Sequence, residues 1–239
     1  MEKIEVIYED DRIVAVNKPA GLSVHPDGKT QEYTLTDWIM ERYPGMEGVG
    51  EPAEYNGKTV LRPGIVHRID RGTSGVLVIA KDQETFLHLK RQFQEREVKK
   101  TYLAIAYDNF KEDEGVIERP IGRSTKDVRM WSAGKDARGT LREAVTGYHV
   151  LARGNKATLV ELSPKTGRTH QIRVHLKAIQ HPIICDTLYA PKRECPFGLT
   201  RMALHAASLE ISLPDGSPLR LEAPLPEDIK EAIAKLKNL

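Results

Sequence analysis

The sequence has 239 residues, of which 40% are hydrophobic and 29% charged, as is ordinary for a globular protein. Its formal net charge of +2 does not by itself predict a polyanionic partner. Apolar runs such as Val76–Ala80 are too short to cross a bilayer, and the first residues contain no secretory signal. We therefore expect a cytoplasmic protein without membrane contact. In that compartment Cys185 and Cys195 would stay reduced, with a disulfide across their short loop as the alternative.

The first half of the chain mixes strand and helix patterns. Alternating apolar residues predict strands at Ile4–Tyr8 and Ile13–Asn17. Thr34 opens a segment with an apolar period near 3.6, which predicts a helix. The stretch Gly45–Pro63 is rich in Gly, Pro and Glu and predicts a loop. After it we predict a strand at Val76–Ala80, a helix at Gln83–Glu97 and a strand at Thr101–Tyr107.

The second half reads mainly as hairpins. Gly122–Thr140 has weak periodicity and many charges, and predicts an extended basic hairpin or insertion. Hairpins interrupted by helices, rather than strict strand–helix alternation, indicate an α+β fold on a largely antiparallel sheet, in one domain spanning residues 1–239. The remaining predictions are a hairpin of Ala144–Val150 with Ala157–Leu162, a helix from Thr169 to about Gln180, a hairpin of Leu209–Leu213 with Leu219–Leu221, and a helix at Glu227–Leu236 after Pro226.

Positive charge is concentrated in two stretches. One lies between Gly122 and Glu143, and the other runs from Lys90 to Lys100. Such runs are usually solvated surface, but these flank motifs that carry chemistry, so they favour a cleft lined for phosphate. The first stretch contains Arg123, Lys126, Arg129, Lys135, Arg138 and Arg142 against three acids.

A loop rich in polar side chains precedes the predicted strand at Val76 and comprises Arg62–Gly75. Within it Asp70 lies between two arginines, whose charge favours an ionised carboxylate. A nucleophile or general base needs that state. Thr73 can satisfy backbone groups in a tight turn. Taken alone, however, the pattern more often marks a structural turn held by an Asp–Arg pair.

A second polar motif runs from Pro164 to Leu176. We expect Thr169 to cap the helix that follows. At about 100° per residue, one stripe of that helix is apolar, and His170, Arg173 and Lys177 line a polar strip beside it. The alternative is an amphipathic helix with a charged outer face. The motif places more side chains that can donate to phosphate or carboxylate around the turn at Gly167 than a solvated outer face requires.

These motifs resemble those of the RluA-type pseudouridine synthases. The pattern at His67–Lys81 resembles the family signature, and Gly167–His175 resembles a second family motif. Two further blocks, Asn17–Gly21 and Lys100–Ala104, match in the expected order, so that the resemblance covers most of the chain. Two positions depart from the usual pattern: Ile69 replaces a leucine and Gly72 a common acidic residue.

The resemblance implies a pseudouridine synthase fold with a central RNA-binding cleft, and isomerisation of a uridine in ribosomal RNA, tRNA or both. Asp70 falls on the catalytic aspartate, and Tyr102 on the tyrosine that stacks on the target base. Arg173 falls on the basic residue expected to pair with the aspartate. Arg68 matches an arginine that fills the gap left by the flipped nucleotide. Whether Asp70 attacks the sugar, adds to the ring or removes a sugar proton stays open.

Further contacts with RNA or the flipped base are predicted for the polar residues that surround these positions. The expected partner is a large-subunit ribosomal RNA hairpin or a tRNA stem-loop, bound by a monomer. Because the first motif begins at Lys18, we expect the catalytic domain itself to recognise the RNA. The additional residues assigned to this role are His67, Thr73, Arg168 and His170.

Other functions fit the sequence less well. His170 and His175 diverge by roughly 140° on a helix, and Cys-x-x-Cys is absent, so we expect neither metal nor cofactor. Gly57-Lys58-Thr59 resembles the end of a phosphate loop but lacks its first glycine. A glycoside hydrolase needs two acids, and no second acid adjoins either motif, the nearest being Asp82. A non-catalytic RNA-binding module of the same fold is the remaining alternative.

Overall fold

The computed structural model describes residues 3–26, 31–55 and 58–237. Across these residues antiparallel hairpins are interrupted by helices, which confirms the predicted α+β class. In chain order the elements are β1 (Glu5–Glu9), β2 (Ile13–Lys18), α1 (Leu35–Arg42), a 3-10 turn (Pro44–Met46), β3 (Ala53–Tyr55), β4 (Lys58–Val60), β5 (Ser74–Ala80), α2 (Gln83–Glu95), β6 (Lys99–Tyr107), β7 (Glu114–Glu118), β8 (Ile121–Ser124), β9 (Trp131–Ser132), β10 (Ala137–Arg142), β11 (Val145–Gly154), β12 (Ala157–Pro164), α3 (Gln171–Ala178), β13 (Leu204–Ser212), β14 (Pro218–Glu222) and α4 (Glu227–Lys237).

The chain packs as two compact units, of which the first comprises Met1–Lys99 and Ala206–Pro224. Its strands lie in the order β1-β2-β5-β13-β14. The hairpin β1-β2, the pair β2-β5 and the hairpin β13-β14 are antiparallel. All seven residues of β5 are buried, as expected of a central strand. The core of this unit forms around β2, β5 and α2.

Helix α2 shows how local sequence fixes an element of the first unit. The Asp82 carboxylate accepts from the Thr85 amide at 2.8 Å and caps the first turn. Phe86 and Leu89 are buried in the core. The Gln92 amide group exchanges hydrogen bonds of 2.8 and 2.9 Å with the backbone of Ser212, which ties the helix to the end of β13. The helix is therefore held at both ends.

The second unit comprises Lys100–His205 and Leu225–Leu239. Its main strands lie in the order β6-β12-β11-β7, each pair antiparallel. A larger core forms beneath these strands, and α3 and α4 contribute Leu176 and Leu236 to it. A separate three-stranded sheet, β10-β8-β9, occupies the segment predicted as a basic hairpin or insertion.

Two predictions of local structure were wrong. The stretch Gly45–Pro63, predicted as a loop, contains most of the 3-10 turn and the hairpin β3-β4. The two strands pair over only three residues each, and a run that short shows no recognisable alternation of apolar and polar residues in the sequence. Lys58-Thr59 lies on β4, and Gly57 lies outside the described residues. Helix α3 begins at Gln171, with His170 at the N-cap position, and Thr169 does not cap it.

The cysteines also differ from expectation. Cys185 and Cys195 form a disulfide across ten residues, with their Cα atoms 4.9 Å apart. The intervening loop turns back on itself, which brings the two residues together and replaces the two reduced thiols we expected. As for membranes, none of the described helices combines the length and apolar character that a bilayer crossing requires.

Candidate active site

The loop that carries Asp70 is anchored to β5 in the first unit. The Gly64 amide donates to Val49 O, and the Ala80 amide donates to Gly64 O, each at 3.0 Å. A Cβ on Gly64 would collide with the Ala80 carbonyl, so that close approach requires glycine. Ile65 also forms a bridge with Ile79. The segment before Asp70 is therefore fixed against a buried strand.

Asp70 itself is half-buried in a tight turn. The Thr73 amide donates to Asp70 O at 3.0 Å, which closes the turn. Ile69, on one side, is buried with 5% of its surface exposed. On the other side Gly75 has a φ of +119°, and a Cβ there would collide with the backbone of Ala206. The Thr-Ser-Gly part of the motif thus permits close packing directly after the carboxylate.

The block Asn17–Gly21 holds the same turn. The Arg71 carbonyl accepts from the Gly21 amide at 2.7 Å and from Lys18 Nζ at 3.3 Å. In return Arg71 Nε donates to Gly21 O at 2.9 Å. Lys18 is fully buried and donates also to the Leu22 carbonyl at 2.8 Å. Two of the sequence motifs therefore meet at the residue that follows Asp70.

The other predicted residues of this loop have distinct environments. His67 Nε2 accepts from the Val78 amide at 3.1 Å, and its ring stacks on Phe93 with centroids 4.5 Å apart. Arg68 is exposed, with Nη1 3.1 Å from His25 Nε2. Thr73 is buried, and its hydroxyl has no hydrogen-bond partner within the described residues. His67 thus has a clear supporting role in the loop, whereas Arg68 is presented outward.

In the second unit, Tyr102 lies on β6 opposite Leu162 of β12. Its ring is half-buried and packs against the core of that unit. The strand pairing fixes its backbone, and the partial exposure leaves part of the ring accessible. This environment is compatible with the predicted stacking on a base.

Arg173 on α3 makes a two-pronged ion pair with Asp186, which sequence reasoning missed. Arg173 Nε and Nη2 donate to the Asp186 carboxylate at 2.8 and 2.9 Å. Asp186 is buried, and its Oδ1 accepts also from the amides of Leu188 and Tyr189, each at 3.0 Å. The available signal was an acid placed directly after the apolar run that ends at Cys185. Pairing of Arg173 with Asp70 stays a prediction.

Tyr189 is the second residue that the sequence did not reveal. Its ring lies 4.9 Å below the Arg173 guanidinium. Its hydroxyl accepts from the Trp131 amide at 3.0 Å and lies 2.9 Å from His170 Nδ1. Tyr189 therefore links α3 to β9, and it gives the predicted residue His170 a partner inside the unit.

The turn before α3 is fixed by Gln171 and Arg168. The Gln171 side-chain carbonyl accepts from the Arg168 amide at 3.0 Å and from the Thr166 hydroxyl at 2.7 Å. Arg168 Nε donates to Glu143 O at 2.9 Å. His170 adopts a left-handed conformation with a φ of 56°. Gln171, rather than Thr169, thus satisfies this turn.

His175, which sequence analysis considered as a metal ligand, is buried on the same helix. Its Nε2 donates to Arg119 O at 3.0 Å, and Nδ1 lies 2.9 Å from the Thr146 hydroxyl. Burial, above all, lowers the pKa of His175. No three His, Cys, Asp or Glu side chains approach one another closely enough to hold a metal ion within residues 3–26, 31–55 and 58–237.

The predicted residues therefore form two groups, one in each unit. His67, Arg68, Asp70 and Thr73 share the loop before β5. Arg168, His170 and Arg173 lie along the turn and first part of α3, and Tyr102 lies on β6 of the same unit.

Comparison with known proteins gives a consistent result. The sequence profile of the family described as RNA pseudouridylate synthase matches residues 12–178. An uncharacterised RNA pseudouridine synthase, YlyB, of Bacillus subtilis is 40% identical over 98% of this chain and 73% of its own length. The ribosomal large subunit pseudouridine synthase D of Nitrosomonas europaea is 37% identical over 99% of this chain and 66% of its own length.

Solved structures agree with the sequence comparisons. The human protein RNA Pseudouridylate Synthase Domain Containing 1 superposes with a TM-score of 0.74 at 27% identity, covering 94% of this chain and 84% of the human one. The human protein RNA Pseudouridylate Synthase Domain Containing 4 superposes with a TM-score of 0.73 at 27% identity, covering 97% of this chain and 92% of the human one. These similarities confirm the predicted fold, and they give no support to a non-catalytic RNA-binding module.

Proposed function

Because this chain belongs to the RNA pseudouridylate synthase family, we propose that it isomerises uridine in large-subunit ribosomal RNA, with Asp70 as the catalytic carboxylate. The enzyme class, an isomerase acting on RNA, follows from the family. The choice of RNA rests on one observation: relatives that match almost the whole chain are named ribosomal large subunit synthases. A tRNA stem-loop is the second candidate substrate.

The reaction requires a uridine that has left the helical stack. Extrusion costs a few kilocalories per mole, and two side chains can offset it. Tyr102 would stack on the extruded base, and its half-buried ring supports this role. Arg68 would fill the gap in the stem, which its exposure supports.

Isomerisation exchanges one bond to the sugar for another. The bond from the ring nitrogen to the sugar breaks, the base rotates, and a ring carbon bonds to the same sugar carbon. The ring carbon loses a proton and the ring nitrogen gains one, so no oxidant or reductant is consumed. The Asp70 carboxylate can act at the sugar or the ring, and Tyr102 can assist removal of the proton from the ring carbon. The rigid turn around Asp70 supports such positioning.

Replacement of Asp70 tests the catalytic assignment. We expect Asp70→Asn to abolish pseudouridine formation in a carbodiimide-labelling assay, because the amide can act neither as nucleophile nor as base. RNA binding should persist, since phosphate contacts do not use this group. Asp11→Asn, at an exposed position in the same unit, is the matched control. Turnover near the wild-type rate in Asp70→Asn would refute the role.

Mapping of pseudouridine across total cellular RNA, with and without the gene, tests the substrate. The proposal predicts that a site in large-subunit ribosomal RNA disappears and returns when the gene is restored. Loss confined to tRNA would select the second candidate. An unchanged map would contradict both.

A further inference from the structure

Two arginines and a histidine of the first unit, Arg62, Arg68 and His25, lie together, and among the described residues no carboxylate neutralises them. Arg68 Nη1 is 3.1 Å from His25 Nε2. Arg62 Nε is buried and has no hydrogen-bond partner within the described residues. Within residues 3–26, 31–55 and 58–237, no acidic side chain forms an ion pair with Arg62 or Arg68. A partly desolvated cation without a counter-charge is costly, so an anion from outside the described residues would complete this cluster.

The histidine supports Arg68 without cancelling its charge. A guanidinium can only donate, so His25 Nε2 must accept and the ring proton lies on Nδ1, 3.4 Å from Pro26 O. Burial, together with the charges of Arg68 and Arg62, lowers the pKa of His25 to about 4. The ring is therefore neutral near pH 7 and holds the guanidinium by a hydrogen bond.

The backbone that presents the two arginines is rigid. The Ile65 amide donates to Arg62 O at 3.1 Å and closes a turn. His67, next to Arg68, is fixed by the Val78 amide and by Phe93. Asp70 follows Arg68 by two residues on the same loop. A ligand bound by these cations would therefore lie beside the nucleotide on which Asp70 acts.

We propose that Arg62 and Arg68 bind an RNA phosphodiester that flanks the extruded nucleotide, with His25 as the positioning residue of Arg68. Guanidinium groups match phosphate oxygens in geometry and charge. The inference rests on the proposed RNA substrate, and it adds Arg62 and His25, which no sequence motif assigned. A guanidinium that fills a gap in a stem lies next to the flanking phosphates, so that both roles of Arg68 are compatible.

The salt dependence of binding to an in vitro transcript of large-subunit ribosomal RNA tests the phosphate contact. Each phosphate contact contributes about 0.7–0.9 to the slope of log affinity against log salt. We expect Arg62→Gln to lower the salt slope by about 0.7–0.9 and to bind the RNA about tenfold more weakly. Arg62→Lys keeps the cation and should keep the slope. Arg12→Gln removes the same charge from an exposed ion pair with Glu84 and should change neither quantity.

The role of His25 is tested by two substitutions. His25→Leu removes the acceptor for Arg68, and we expect kcat/KM for pseudouridine formation to fall about tenfold, the factor that corresponds to one hydrogen bond to a charged group. His25→Gln keeps an acceptor and should recover most of the loss. Equal losses in both variants, at equal thermal stability, would show that His25 only fills space.

The outcomes separate the inference from the proposed function. An unchanged slope in Arg62→Gln, or an equal loss in Arg12→Gln, overturns the phosphate site even if the wild-type chain makes pseudouridine. If Arg62→Gln does not fold, Arg68→Gln, at an exposed position, carries the same slope test. A wild-type chain that makes no pseudouridine, yet loses slope in Arg62→Gln, overturns the proposed function and leaves the phosphate site intact.

Discussion

At the scale of single residues, Asp186 determines where the Arg173 guanidinium lies. The carboxylate accepts from two backbone amides as well as from Arg173. The amides hold the carboxylate in place, and the carboxylate in turn positions the arginine. The Asp186 side chain is fully buried and that of Arg173 is 11% exposed. In such surroundings, loss of one partner leaves a buried charge without compensation.

Removal of Asp186 should therefore be costly. We expect Asp186→Ala to lower the free energy of unfolding by about 3–5 kcal/mol, measured by urea denaturation. Asp228 makes an equally two-pronged pair with Arg201, but its side chain is 37% exposed. Asp228→Ala should cost about 1 kcal/mol. Similar losses in the two variants would contradict the importance of burial.

The residues of the site differ in how far sequence could reveal them. Asp70, Tyr102 and Arg173 were assigned from motifs whose members are close in the chain. Asp186 lies 13 residues from Arg173 and has no distinctive neighbours, so its partner is apparent only from the fold. The same holds for His25, which contacts Arg68 across 43 residues. Motifs identify chemical groups, whereas the groups that hold them in place depend on tertiary packing.

The buried His175 predicts how stability changes with pH. Burial lowers its pKa from the ordinary 6.5, so that between the two values the unfolded chain binds more protons than the folded chain. Stability should therefore fall as the pH drops below about 6.5. We expect His175→Asn to flatten this part of the curve in urea unfolding at several pH values. His149→Asn, at an exposed position on β11, should leave the curve unchanged.

At the scale of elements, the basic sheet β8-β9-β10 has less free charge than its composition suggests. Lys126 pairs with Asp136 at 2.7 Å, and Arg129 pairs with Asp127 at 2.7 Å. The pKa of Asp127 is lowered to about 2 by Arg129. By contrast, three arginines line a cavity of about 700 Å³ in which one guanidinium lies 4.3 Å from the Trp131 ring. These are Arg123, Arg138 and Arg142.

This difference predicts which cations of the sheet bind RNA. We expect combined replacement of Arg123, Arg138 and Arg142 by Gln to lower the salt slope of RNA binding by about 2–3, at 0.7–0.9 per contact. Replacement of Lys126 and Arg129 by Gln should have a smaller effect, because each already has a carboxylate partner. The reverse order of effects would contradict the assignment of the cavity.

The elements themselves were predicted unevenly. Strand β5, helix α2 and the hairpin β13-β14 follow from strong apolar patterns, and their boundaries differ from those expected by up to five residues, the largest difference being at the start of β13. The hairpin β3-β4 and the sheet β8-β9-β10 consist of two- to six-residue strands, whose pairing depends on distant neighbours. Helix α3 starts late because Gln171, a residue with no capping preference, satisfies the turn before it.

At the scale of the whole molecule, the family profile covers parts of both units, from residue 12 to residue 178. The sequence motifs are likewise divided, with Asp70 in the first unit and Tyr102 and Arg173 in the second. Each unit has its own apolar core. The single domain predicted from sequence stays a prediction.

The bond between Cys185 and Cys195 closes a ring of chain that includes the exposed residue Lys192. Limited digestion with trypsin should cut such an exposed loop after Lys192 or Arg193. Because the cut lies inside the ring, the two fragments would remain joined, and the nicked chain should migrate as one band until a reductant is added. Two bands without reductant would show unpaired thiols. Wherever the bond is kept, a protease that nicks this loop therefore leaves the part of the chain after the cut, with β13, β14 and α4, covalently attached to the part before it.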